Sequence, residues 1–191
     1  MFMAFGLDFI IMVVLGLVFL VIVFYVILIF NTLIRLKNNI RKSLANIEVL
    51  LKQRNDELPK LIASVKGYMK HERKTLEALT KARTAFMNAT TIRDKAKADS
   101  IISGALKTLF AVAENYPNLK ANENFLQLQN RITGIENELA DRREFYNDSV
   151  NIYNIRIQSI PDRFIAKLLG YQPEEFFKAE ESEKKDVEIN F

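Results

Sequence analysis

The sequence predicts an all-α protein in which an N-terminal transmembrane helix is followed by an antiparallel bundle of three to four long helices. Three observations carry this. A run of twenty-two residues from Phe9 to Phe30 holds no charge, amide or proline. Beyond it, apolar residues recur at spacings of three and four, the period of helices that bury one face. Between Arg35 and Phe191 no stretch alternates with period two for long, and Gly-rich hairpin turns are missing, so strands have no support.

The apolar run comes first. At ~1.5 Å per residue it makes a helix roughly 33 Å long, which matches a hydrocarbon core of ~30 Å. A helix apolar on every face has no use in a soluble domain of this size. A cleaved signal peptide would have a shorter core, basic residues before it and a small-x-small site after it. Here only Asp8 precedes the run, and Ile29–Leu33 contains no such site. An uncleaved single-pass anchor is expected. Arg35, Lys37, Arg41 and Lys42 follow the span, so the positive-inside rule places the N-terminus outside and the C-terminal domain in the cytoplasm. The expected divisions are a short segment 1–8, an anchor 9–34, a helical bundle 35–169 and a tail 170–191.

Leu33, Leu36, Ile40, Leu44, Ile47 and Leu51 form one stripe, so the anchor is expected to run straight into the first soluble helix. Pro59 lacks an N–H and disfavours helix at Leu58, which predicts a turn or kink there and a second helix starting at Pro59. That helix carries Ile62, Val65, Met69, Leu76, Leu79 and Phe86, interrupted by Glu72. Thr91-Ile-Arg-Asp94 has the form of a capping box, opening a third helix whose stripe is Ile101, Ala105, Leu109 and Val112. Pro117 and its neighbouring asparagines mark a connector. A long helix then runs from about Ala121 to Pro161, its stripe broken only at Arg142. A short helix from Phe164 to Leu169 is expected to end at Gly170, followed by a solvated tail in which Val187, Ile189 and Phe191 alternate.

Charge is unevenly spread. Residues 35–161 hold 22 Lys+Arg against 14 Asp+Glu, whereas residues from Asp162 onward hold 5 against 8. A basic domain beside a bilayer feels anionic headgroups at about 1 kcal/mol per close cation. Nucleic acid is not an expected partner, because the cations are scattered singly along helices with no Arg/Lys block or RNA-type aromatic motif.

The search for chemistry is short. His71 is the one histidine and there is no cysteine, so no common zinc set can be assembled. No Glu-x-x-His motif exists for a di-metal bundle, and Glu136, Glu138, Asp141 and Glu144 beside Arg142 and Arg143 look like a solvated, charge-mixed face. Phosphate loops and nucleophile elbows lack their strand-to-helix context. No cofactor, metal or catalytic residue is expected. A polar cluster of His71, Glu72, Arg142, Arg143, Tyr146, Asn147, Asp148, Tyr153 and Asn154 is singled out instead, as structural support or as a partner-binding surface. Within it Arg142 is expected to bury its stem and pair with a carboxylate such as Glu72 on the second helix.

Three stretches are specific enough to resemble a family: ELPKLIASVKGYMKHE at 57–72, NYPNLKANENFLQLQNRI at 115–132 and ENELADRREFYNDSVNIYNIRIQSIP at 136–161. Together with the apolar N-terminus they resemble the LemA family over almost the whole chain. Ser43-Leu44 departs from the family pattern, which has a small residue followed by tryptophan; this chain has no Trp. The run from Asp141 to Asp148 is also spaced more loosely. The resemblance implies a bacterial inner-membrane protein with an antiparallel helical bundle and no established enzymatic activity. It also implies a connection with membrane stress and, in some genomes, a neighbouring membrane metalloprotease.

The expected function is therefore a non-enzymatic scaffold that contacts the lipid bilayer, forms a homo-oligomer and offers a surface to a membrane-protein partner. The span has no small-xxx-small motif, so association is expected to rely on the soluble helices. The alternative is a non-catalytic subunit or regulator of a membrane protease or other membrane enzyme.

Overall fold

The computed structural model describes residues 2–69 and 72–178, with side chains from Phe9 onward. It is all-α, with no strand among the described residues. The elements are α1 (Phe2–Lys66), α2 (Arg73–Asn88), α3 (Ile92–Ala113), α4 (Pro117–Lys120), α5 (Glu123–Gln158) and α6 (Asp162–Leu168). Two compact units are built from them. One joins α1 through Arg41 to residues 149–174; the other takes Lys42–Asp148 and the chain from Glu175 onward.

In the first unit, α1 carries the apolar span. Its side chains from Phe9 to Leu28 are exposed, and its length and composition suffice to cross a membrane. Burial begins at Ile29 and continues at Leu33 and Ile40. The complementary buried positions are Val150, Tyr153 and Ile157 on α5 and Ala166 on α6. α6 ends as the sequence requires. Gly170 has φ +66°, and the N–H groups of Gly170 and Tyr171 donate to the carbonyls of Lys167 and Ala166 at 3.1 and 2.9 Å. This is a Schellman cap, whose left-handed residue glycine accepts without a Cβ penalty.

In the second unit, the core joins Leu58, Leu61 and Val65 of α1 to Leu79 of α2, Leu106 of α3 and Phe125 of α5. Here the structure corrects the expected break at Pro59, because α1 runs through it. An interior proline costs ~3 kcal/mol. Leu58, Leu61 and Val65 on either side of it are fully buried, each worth ~1.5–3 kcal/mol. Burial therefore outweighs the local penalty, and the ring of Pro59 faces outward. The chain turns instead after Lys66, where the N–H groups of Tyr68 and Met69 both bond to the Val65 carbonyl at 3.0 and 2.9 Å.

The face of α3 is also corrected. Ile101 is exposed, and the interior row is Asp99, Ile102, Leu106, Leu109 and Ala113. Helix starts agree with the sequence. Thr91 Oγ1 accepts from the Asp94 N–H at 3.0 Å, and Asn122 Oδ1 accepts from the Phe125 N–H at 3.1 Å. A further correction concerns the tail. Residues 171–178 are non-helical but are tied to α5 rather than solvated. Val187, Ile189 and Phe191 lie outside the described residues.

Candidate functional site

Interior helix positions normally carry aliphatic side chains, and two here do not. Arg54 occupies the step between Leu51 and Leu58 on α1, and Asp99 the step before Ile102 on α3. Both are buried, at 1% and 2% exposed. Arg54 Nη2 donates to Asp99 Oδ1 and Nη1 to Glu136 Oε1. Nη1 also reaches Ser103 Oγ at 3.0 Å, and that hydroxyl donates to Glu136 Oε2 at 2.9 Å. Arg143 pairs with the second oxygen of Asp99. Two guanidiniums thus meet two carboxylates, and all four carboxylate oxygens are engaged. Burial pushes the Asp99 pKa up against the opposing pull of Arg54 and Arg143. Buried charge survives only when paired and hydrogen-bonded; every carboxylate oxygen here has a partner, while Arg54 Nε and Arg143 Nε and Nη2 are buried without a hydrogen-bond partner among the described residues. Its contacts tie α1, α3 and α5 together.

The second polar feature is a dipeptide that occurs twice on α5, Tyr146-Asn147 and Tyr153-Asn154. In the first unit, Tyr153 OH donates to the Gln172 carbonyl at 3.2 Å. Asn154 Nδ2 donates to the Glu174 carbonyl at 3.0 Å, while its Oδ1 accepts from the Glu174 N–H at 2.9 Å. Burial, then the charges of Glu174 and Tyr171, push the Tyr153 phenol up to about 12, so it remains a donor at neutral pH. In the second unit, Tyr146 OH donates to the Glu175 carbonyl at 2.9 Å. Asn147 takes both polar groups of Phe177, donating to its carbonyl at 3.3 Å and accepting from its N–H at 2.8 Å. Phe177 is buried with its ring edge-on to Tyr146, centroids 6.4 Å apart, and the Arg143 guanidinium 5.8 Å over its face. Each asparagine bonds both the N–H and the C=O of one residue, as a neighbouring β-strand would.

The polar cluster expected from the sequence is therefore divided. Glu72 receives a hydrogen bond from Tyr116 OH at 3.4 Å, not from Arg142. Arg142 stays exposed and pairs with Glu138 one turn back at 3.1 Å. It is Arg143 that turns inward, because it sits four residues from Leu139 and three from Tyr146, both fully buried. Asp148 is exposed, and His71 lies outside the described residues. Glu136, expected on a solvated face, belongs to the Arg54 centre. The membrane-proximal basic residues also differ among themselves. Arg35, Arg41 and Lys42 are exposed, whereas Lys37 lies 3.8 Å from Glu174 and 4.6 Å over the Tyr171 ring. Arg54 and Asp99 escaped the sequence reading, although a charge at a stripe position on each of two helices was the available signal.

An open groove of about 620 Å³ lies between the end of α1 and α2, lined by Ile62, Met69 and Leu76 among others. On its rim Arg73 and Glu77 pair with each other at 2.7 Å. No three His, Cys, Asp or Glu residues converge in a way that could hold a metal among the described residues.

The model of the LemA family matches residues 43–191. This chain belongs to the LemA family. Protein LemA of Metamycoplasma hominis is 30% identical over 165 residues, which cover 84% of this chain and 74% of that one. Magnetosome protein MamQ 2 of Paramagnetospirillum magneticum is 32% identical over 81 residues, 42% of this chain and 30% of the relative. Magnetosome protein MamQ of Magnetospirillum gryphiswaldense is 29% identical over 80 residues, 42% of this chain and 29% of that protein. The chain thus spans less than a third of these two MamQ relatives. With the long apolar helix, these matches describe a membrane-associated helical LemA-family protein.

Proposed function

We propose that this LemA-family chain is a non-enzymatic, single-pass scaffold that self-associates in the plane of the cytoplasmic membrane, with its helical domain on the cytoplasmic side. The carrying observation is how its polar groups are used. The side chains with the most chemistry to offer hold the fold together: Arg54, Asp99 and Glu136 join helices, and Asn147 and Asn154 clamp the chain after α6. What remains outward is contact surface, including Ile152 and Ile155, 54% and 57% exposed and one turn apart on α5. A second copy confined to the same membrane meets such a surface at high effective concentration. The magnetosome proteins match this chain over less than a third of their own length, so their compartment is not carried over. A role in envelope or membrane stress fits a scaffold at this location.

Chemical crosslinking in native membranes, followed by mass spectrometry of the captured species, tests this. Homo-oligomers that diminish in an Ile152→Asp/Ile155→Asp variant are expected. A strict monomer throughout would contradict self-association, and capture of a membrane protease alone would favour a regulatory subunit instead.

A further inference from the structure

Among the described residues, the three most exposed large apolar side chains outside the span are Leu168 at 87%, Ile160 at 76% and Phe164 at 67%. They match the span itself, where Met12 is 72% and Phe9 69% exposed. They also fall within nine residues of one another, at the end of α5 and on α6. Phe164 and Leu168 are one turn apart and so share a face of α6. Arg163 and Lys167 adjoin them and are exposed as well. Scattered exposed apolar residues need no explanation, but a concentrated set interleaved with cations is the composition of a segment that lies in a membrane interface.

The height of this patch follows from contacts inside the first unit. Ile29, in the last turn of the apolar run, is only 2% exposed, and Leu33 is fully buried. A single helix does not cover its own side chains to this degree, so the cover comes from residues 149–174, the other part of the unit. Lys37 lies over the Tyr171 ring, which sits 6.2 Å from the Tyr153 ring, so Lys37 and Tyr153 stand at similar heights. From Lys37 back to Ile29 is eight residues, about 12 Å of helix. On α5 the unit offers only residues 149–152 on one side of Tyr153, whereas on the other side the helix continues about 7.5 Å to Gln158 and the chain runs on through residues 159–161 into α6. The end of α5 and the turn into α6 therefore come level with Ile29, at the edge of the span.

We infer that Ile160 and α6 form a second membrane contact. Ile160, Phe164 and Leu168 enter the headgroup–acyl boundary of the leaflet from which the domain emerges, and Arg163 and Lys167 meet lipid phosphates. The occupant is an anionic bilayer surface, chosen for its continuity with the apolar span and for the flanking cations. The inference rests on the span being embedded. It does not depend on which side of the membrane the domain occupies. Two contacts, the span and the hairpin end, would hold the first unit against the bilayer at a fixed tilt where one helix alone would let it swing.

The absence of Trp makes the test direct. Single-tryptophan variants F19W, I152W, F164W and L168W of the full chain are reconstituted in phosphatidylcholine–phosphatidylglycerol vesicles. Their emission is compared with and without lipids brominated at shallow acyl positions. F19W reports the span, and Ile152 lies nine residues before Pro161, further from the span end. Blue-shifted, strongly quenched emission is expected from F164W and L168W, with several-fold weaker quenching of I152W. Unquenched F164W and L168W beside a quenched F19W overturn the second contact and leave the anchor standing. An unquenched F19W overturns the anchor and the inference with it. Equal quenching of I152W also overturns it, because the contact is then not local to the hairpin end. In the F164W background, R163E/K167E should reduce quenching in anionic vesicles, and unchanged quenching overturns the phosphate contact.

Discussion

Asn147 and Asn154 each bond both the backbone N–H and the C=O of one residue, so their removal strands a backbone donor and acceptor together. A net hydrogen bond is worth ~1 kcal/mol and a stranded buried group costs ~1–3. Asn154→Ala should therefore lower stability by about 2 kcal/mol in urea unfolding and expose the 171–178 segment to limited proteolysis. Asn154→Asp, which keeps the acceptor and loses the donor, should fall between. Arg54 carries more. Truncating one partner of a buried ion pair costs ~3–5 kcal/mol, and Arg54→Ala leaves both Asp99 and Glu136 without their main cation. Two residues also give pH signatures. Burial raises the Asp99 pKa above its ordinary value, so the native state holds that proton longer than the unfolded chain does. Its contribution to stability declines as pH rises from about 4. In Asp99→Asn the acid limb of stability against pH should rise more steeply than in the parent. Tyr153 acts at the other extreme. With its phenol pushed up from 10.0 to about 12, its contribution holds below pH 10 and is lost between pH 10 and 12. Tyr153→Phe should flatten that alkaline decline.

At the level of elements, Pro59 shows where local preference and burial part ways. Pro59→Ala supplies the missing N–H to the helix and relieves the ring clash, and should stabilise the protein by about 1–3 kcal/mol. A loss of stability in thermal melts would mean that the proline is needed for the path of α1. The same contest explains what was legible beforehand. The span, the α1 stripe, the Thr91 cap and the glycine stop at Gly170 depend on local chemistry and could be read directly. The end of α1 could not, because the burial of Leu61 and Val65 is a tertiary fact. The face of α3 was misjudged by one residue, since counting only apolar positions hides an interior row that begins with Asp99. The 171–178 segment had no signal of its own. It has no periodicity, and what holds it are side chains of α5 reading its backbone, which any sequence would present. Tyr146, Asn147, Tyr153 and Asn154 were recognised as a set, but their target was not.

For the whole molecule, the apolar run and the first stripe of the domain belong to one helix, α1. A continuous helix transmits position and tilt better than a flexible linker, so membrane attachment is built into the domain and not appended to it. The decisive measurement is a cysteine-accessibility scan of α1 in native membranes, which the cysteine-free chain permits without background. Single cysteines from position 9 to position 66 are reacted with a membrane-impermeant maleimide after the membranes are opened. Positions 9–28 should be protected throughout. From Arg35 onward, reactivity should return with a helical period, high at exposed positions such as Arg41 and Val49 and low at Leu33, Ile40 and Ile47. Reactivity throughout positions 9–28, or loss of the helical period beyond Arg35, would contradict a single helix that is both anchor and stem.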